Sequence, residues 1–400
     1  MIKISDKISA IAPSMTLAIS AKANELKASG EKVINFGVGE PDFNTPAHIV
    51  QAAKDALDKG YTRYVAAAGI PELKKAIVQK LKRDNGLDYE PSQIIVSNGA
   101  KHSIFNALFA TVNEGDEVLI PTPYWLTYPE VVKSCGGVPV FVTASYKNGY
   151  KVTASDIEKA VTLKTKVLIF NSPCNPTGAV YTEAEIRKIA EVCEKHGIIV
   201  ISDEIYEKLI YGGGKHFSIA SVSEAMKENT IVINGVSKSY AMTGWRLGYL
   251  AAPQGVAKAI SSFQSHCTSN VNTMTQYASV VAFTGDEKPL IEMQKAFERR
   301  RDYTVNRLEE LKGLGFDYVK PDGAFYVMLI CTKFYGKSYK GRRIEGSLDF
   351  AEMLLENKKV AATPGIVFGD DDFIRLSYAL NEKDIEEGIA RIAEFAKECN

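Results

Sequence analysis

Residues 166–206 read KVLIFNSPCNPTGAVYTEAEIRKIAEVCEKHGIIVISDEIY. Two short apolar runs, Lys166–Phe170 and Ile198–Ser202, flank an amphipathic stretch, Thr182–His196. Successive apolar residues are the mark of a strand buried on both faces, and the intervening stretch has helical periodicity. Strand–helix–strand at this spacing points to an α/β fold with a mostly parallel sheet.

The same alternation continues outward in both directions. Further strand candidates are Val33–Phe36, Gln93–Ser97, Glu117–Ile120, Pro139–Thr143, Thr230–Asn234 and Leu247–Ala252. Helical patterns cover Ile49–Lys59, Pro71–Asn85 and Lys101–Val112. A long, charged one, Asp286–Lys312, lies between Gly285 and Gly313 and is expected to bridge two lobes, the second a smaller α+β domain. No repeat, low-complexity tract or Gly/Ser linker interrupts the chain, so the cleft between the lobes is the expected ligand site.

A length of 400 residues suits two domains, and a composition of 46% hydrophobic and 24% charged residues excludes a disordered or disulfide-dense chain. Lys+Arg and Asp+Glu both number 48, so the chain as a whole has no basic footprint for nucleic acid or an anionic membrane. The expected partners are small molecules or a second copy of the chain. Cys135, Cys174, Cys193, Cys267, Cys331 and Cys399 form no C-x-x-C, and the histidines are scattered, so no metal site is expected. The N-terminal stretch carries Lys3, Asp6 and Lys7 without a long apolar core, and no run of about 20 apolar residues follows; a soluble, cytoplasmic protein is expected.

Three partial motifs fail. Gly336-Lys337-Ser338 has Cys331 where a P-loop needs glycine. Gly37 and Gly39 run into Glu40-Pro41-Asp42 rather than a dinucleotide fingerprint, and Gly235-Val236-Ser237-Lys238-Ser239 lacks the last glycine of a nucleophile elbow.

Four blocks at or near strand ends carry the chemistry: Asn171–Gly178, Ser202–Tyr206, Asn234–Ser239 and Met242–Arg246. In an open parallel sheet, residues past the carboxyl ends of strands converge on one crevice, where Asn175, Asp203, Tyr206, Lys238 and Arg246 can meet. Alone, each has an ordinary reading: a surface charge, a helix cap for Asp203, a turn for Asn175-Pro176-Thr177-Gly178. Together they match an aldehyde (lysine), a phosphate (arginine), a protonated ring nitrogen (aspartate) and a phenolate (tyrosine), the four handles of pyridoxal phosphate (PLP).

With Gly39-Glu40-Pro41-Asp42-Phe43, Tyr61-Thr62-Arg63-Tyr64, Thr122-Pro123-Tyr124-Trp125 and Arg375-Leu376-Ser377-Tyr378, these blocks closely resemble the class I, fold-type I PLP-dependent aminotransferases, in particular the prokaryotic-type aspartate aminotransferases, over essentially the whole chain. The resemblance implies a large domain with a mostly parallel, seven-stranded-type sheet flanked by helices, plus a smaller α+β domain. It places an N-terminal arm and part of the small domain at 1–45, the large PLP-binding domain at 46–290 and the C-terminal small domain at 291–400. It makes Lys238 the catalytic lysine, bound to PLP as a Schiff base and then acting as general base and acid in a ping-pong transamination.

Carried over in the same way, Asp203 holds the ring-nitrogen proton, and Tyr206 and Asn175 bind the phenolic oxygen. Trp125 stacks on the ring, and Arg246, Ser237 and the backbone at Ala100 and Lys101 hold the phosphate. Tyr64 reaches the phosphate of a neighbouring subunit, which implies a homodimer with shared active sites. Arg375 clamps the substrate α-carboxylate, helped by Gly39 and Asn175. The Asn175-Pro176 bond is expected to be cis.

Thr16 and Lys101 stand where the aspartate enzymes read the distal carboxylate, and a lysine in a first helical turn opposes the helix dipole, which favours a functional reason for it. The expected reaction is therefore transamination between L-aspartate or L-glutamate and 2-oxoglutarate or oxaloacetate. Relatives that also aminate prephenate often carry a basic residue where this chain has Ala12. Alternatives are an aminotransferase for alanine or aromatic amino acids, which keeps every cofactor residue without needing Thr16 and Lys101, or a PLP lyase, distinguished by its elimination products. A non-catalytic PLP-binding regulator usually carries a DNA-binding extension, and here the catalytic pattern starts near Ser14.

Overall fold

The computed structural model describes residues 2–9, 11 and 15–400, without the side chains of residues 6, 7, 15–18 and 20. Seven strands make the central sheet: β1 (Ile94–Ser97), β2 (Glu117–Thr122), β3 (Val138–Thr143), β4 (Thr165–Asn171), β5 (Ile199–Asp203), β6 (Thr230–Gly235) and β7 (Gly248–Ala251). All seven are among the sequence candidates, with ends that shift by one or two residues. Their spatial order is β1-β7-β6-β5-β4-β2-β3. Every pair is parallel except those of β7, which runs antiparallel to both β1 and β6.

Alternation of side chains explains why the apolar runs had to be strands buried on both sides. On one face Val167 and Ile169 of β4 pack with Ile104 and Leu108 of the helix Ala100–Thr111 and Ile260 of the helix Gln254–Cys267. On the other, Leu168 and Phe170 meet Ile186, Ile189 and Cys193 of the helix Glu183–His196. Each such side chain, withdrawn from water, contributes roughly 1.5–3 kcal/mol.

The strand candidate Val33–Phe36 does not join this sheet: Ile34–Asn35 pairs in parallel with Val360–Ala361. Beside that ladder lies a second, antiparallel sheet of β8 (Asp317–Val319), β9 (Tyr326–Ile330), β10 (Thr363–Pro364) and β11 (Phe373–Ser377), in the order β10-β11-β9-β8. Its core gathers Phe297, Phe325, Phe350 and Phe395. The helix Lys288–Leu311 bridges the two packing regions: Leu290 packs with Ile49 and Phe283, whereas Phe297 and Leu308 pack with Ile389 and Ile392. Among the described residues, no helix is long and apolar enough to cross a membrane.

Candidate active site

A cavity of about 710 Å³ opens at the carboxyl ends of the parallel strands. Asp203 is the last residue of β5, Ser237 and Lys238 follow β6, and Ala100 and Lys101 begin the helix after β1. Arg246 reaches the same edge because β7 is antiparallel: Gly248 pairs with Gly235 and with Ser97, so the residues before β7 lie beside the ends of its neighbours. Gly248 is itself required there, since a Cβ would come within 2.3 Å of the Ala100 nitrogen. Gly39, Trp125, Asn175, Tyr206 and Arg375 also line the cavity, the last from β11 of the second sheet. Tyr64 does not; it is 90% exposed on the surface. Ala12 and the side chain of Thr16 lie outside the described residues.

Lys238 is partly buried, and its ammonium donates to the Gly39 carbonyl at 2.5 Å. Burial lowers its pKa to about 8; Glu40 opposes that shift, and Arg375 and Arg246 reinforce it. Asp203 accepts from the Tyr128 hydroxyl at 2.7 Å and from the Ile205 N–H at 3.2 Å. Burial nonetheless raises its carboxyl to about 6, so a cation beside it would be stabilised by an otherwise costly charge. The Tyr206 and Tyr326 hydroxyls share a hydrogen bond of 3.0 Å.

Arg375 is 5% exposed. Its Nη1 donates to Asn175 Oδ1 at 2.8 Å, its Nη2 to the Gly37 carbonyl at 3.2 Å, and its guanidinium lies 4.2 Å from the Tyr326 ring centre. Its Nε has no hydrogen-bond partner despite burial, and a buried donor left so costs about 1–3 kcal/mol. Lys101 projects over Trp125, with its Nζ 4.9 Å from the ring centre, and its pKa is lowered by burial and by Arg246. Arg246 donates to the Thr243 carbonyl at 2.9 Å. A Cβ at Gly99 would stand 2.3 Å from the Arg246 Nη2, so glycine leaves the guanidinium its place beside the helix N-terminus.

Sequence reasoning missed Tyr128, Tyr326 and Asn171. Tyr128 stands one helical turn after Trp125, a spacing that could have suggested a shared site. Asn171, whose Nδ2 donates to the Asp203 carbonyl at 2.8 Å, ends the strand next to that of Asp203. Tyr326 has no local signal at all. The Asn175–Pro176 peptide is cis, as expected; Thr122–Pro123 and Ser172–Pro173 are cis as well.

These groups fit PLP: a partly buried amine of lowered pKa, a buried carboxylate, a phenol, and an arginine beside a helix N-terminus, which suits a phosphate. The comparisons agree. The family model for aminotransferase class I and II matches residues 31–392. The aspartate aminotransferase of Bacillus subtilis is 47% identical over 395 residues, 99% of each chain. A protein of Aquifex aeolicus named probable aspartate/prephenate aminotransferase is 47% identical over 397 residues, again 99% of each. The crystal structure of the aspartate aminotransferase from Rhizobium meliloti superposes with a TM-score of 0.95, at 42% identity and over 100% of both chains.

The chain belongs to the class I and II aminotransferases. It is a PLP-dependent enzyme of fold type I, with small-molecule substrates, amino acids and 2-oxo acids.

Proposed function

We propose that the enzyme transaminates L-aspartate or L-glutamate with 2-oxoglutarate or oxaloacetate, as a cytoplasmic homodimer. The observation that carries this reading is the set of cations lining one cavity: beyond Lys238 and Arg246, which serve the cofactor, Arg375 and Lys101, the latter over Trp125, are left for the substrate. Two cationic side chains suit a substrate with two carboxylates. The names of the relatives in Bacillus and Rhizobium support the same substrate class.

PLP, when bound, supplies an aldehyde that captures amines and a ring that accepts electron density from the substrate Cα. Asp203 holds the proton on the ring nitrogen, Tyr206 and Asn175 bind the phenolic oxygen, and Trp125 covers the ring. Arg246, Ser237 and the N–H groups of Ala100 and Lys101 bind the phosphate, joined by Tyr64 of the second subunit. Arg375 grips the substrate α-carboxylate, which then satisfies its orphaned Nε, and Gly39 and Asn175 complete that contact. Lys238, neutral in a fraction of molecules near pH 8, removes the proton from the substrate Cα and delivers it to the acceptor carbon. Thr16 and Lys101 read the distal carboxylate. The domain division 1–45, 46–290 and 291–400 belongs to the same reading, with the bridging helix Lys288–Leu311 at the second boundary.

Single-turnover rates of the PLP form with a panel of amino acids test the proposal. Aspartate and glutamate should react fastest; a preference for alanine or phenylalanine would refute the dicarboxylate assignment. The name of the Aquifex relative speaks for prephenate as a further acceptor and Ala12 speaks against it; amination of prephenate by the pyridoxamine form decides between them.

A further inference from the structure

Side chains alternate along β5 and just beyond it, so Asp203 lines the cavity while Ser202 and Glu204 do not. Glu204 is 1% exposed and serves no step of the proposed chemistry. A carboxylate so buried survives only if its oxygens are satisfied. They are: Oε1 accepts from the Ser202 hydroxyl at 2.8 Å and the Ser218 hydroxyl at 2.6 Å, and Oε2 is bonded to His216 Nε2 at 2.9 Å.

Glu204, Glu207 and His216 bring ligand-type atoms within 4.8 Å of one another, which raises the question of a metal ion. The Lys80 ammonium already pairs with Glu207, whose other oxygen accepts from the Asn85 amide at 3.0 Å. A metal would have to displace these donors as well as those of Glu204. The cluster is therefore complete as it stands, and its place behind Asp203 is what needs explaining.

We propose that Glu204 is a positioning residue for Asp203: bound to Ser202, Ser218 and His216, it anchors the end of β5 and sets a second negative charge behind the carboxylate that keeps the cofactor's ring nitrogen protonated. The backbone from Ser202 to Ile205 is then held from both sides, by Glu204 in the interior and by Tyr128 and the Ile205 N–H on Asp203 itself. After burial, and against the hydrogen bonds from Tyr128 and Ile205 and the opposite charge of Lys238, the charge of Glu204 adds to the proton affinity of Asp203. That strengthens Asp203 as an acceptor for a ring N–H.

The inference rests on the assignment of Asp203 to the ring nitrogen, and the experiment separates the two. Holoenzyme is prepared with PLP carrying heavy nitrogen in the ring, and the ring-nitrogen resonance is followed against pH. In Glu204→Gln, which keeps an acceptor oxygen but loses the charge, the resonance should titrate roughly one pH unit lower than in the unaltered enzyme. A folded Glu204→Gln that titrates like the unaltered enzyme overturns the proposal. Should Glu204→Gln not fold, Ser218→Ala, which keeps the charge and removes one hydrogen bond, should weaken PLP binding roughly threefold to fivefold; unchanged affinity there overturns it equally. Asp203→Asn is measured alongside. If that variant leaves the resonance unaltered, the ring-nitrogen assignment has failed, whatever Glu204 does.

Discussion

Arg375 and Asn175, 200 residues apart in the chain, meet at 2.8 Å, the guanidinium Nη1 donating to the amide oxygen. One comes from the antiparallel second sheet and the other from the turn after β4, so this contact ties the two sheets together across the cavity. The arginine is thereby held in place with its Nε still lacking a partner.

That arrangement predicts a cost shared by all amino-acid substrates. Arg375→Ala should lower kcat/KM by roughly 2–5 kcal/mol, whatever the substrate side chain. Arg375→Lys keeps the charge but not the planar fork, and should recover only part of the loss. Steady-state kinetics with aspartate and alanine side by side checks this; a loss confined to aspartate would move Arg375 to the distal end of the substrate.

The lowered pKa of Lys238 predicts a pH dependence in the PLP-free protein. Its folded value of about 8 lies below the ordinary 10.5. Below pH 8 both folded and unfolded states hold the proton, and the folded state bears the full cost of a buried ammonium. Between the two values the unfolded state binds more protons, so stability rises with pH. Lys238→Met should therefore be more stable than the unaltered apoprotein at pH 7, by up to about 3 kcal/mol. The gap should close as pH rises towards 10, measured by urea denaturation. The same variant should show no transamination.

Lys101 should separate substrates that Arg375 does not. Lys101→Ala should cost aspartate and glutamate roughly 2–5 kcal/mol in kcat/KM and leave alanine and phenylalanine nearly unaffected. The visible spectrum of the bound cofactor should stay normal, since the proposed site uses only the backbone at this position for the phosphate. Equal losses for all four amino acids would assign the side chain to the cofactor instead.

Tyr64, exposed and away from its own cavity, should act across a subunit boundary. Tyr64→Phe should weaken PLP binding roughly tenfold, the value of one hydrogen bond to a charged group. Hybrids of a Tyr64→Phe subunit with a Lys238→Ala subunit decide the direction. The only working lysine then lies in the subunit that receives an intact Tyr64 from its neighbour, so that site should bind PLP normally. Weakened binding in the hybrid would put Tyr64 in its own subunit's site.

The spacing of apolar residues by itself determined all seven central strands and the helices between several of them, because burial on two faces demands uninterrupted runs and burial on one demands helical periodicity. It did not reveal the helix Thr273–Thr284, whose sequence TMTQYASVVAFT is apolar or small on nearly every side and shows no polar stripe to set its period. Lys238, Asp203 and Arg246 were legible because they follow or precede strand ends in recognisable blocks, and a parallel sheet brings such ends together. What only the tertiary structure decided were the partners. Ile34–Asn35 reads as a strand from its own residues, yet it pairs with Val360–Ala361 rather than with the central sheet. Tyr128 on Asp203, Tyr326 on Tyr206 and Ser218 and His216 on Glu204 come from other elements. Local sequence dictates which face of a strand or helix turns inward, through steric and hydrophobic preferences within a few residues. Which buried donor meets which buried acceptor depends on the packing of elements far apart in the chain, and it is fixed only when those elements close around the same cavity and every buried polar group must find its partner.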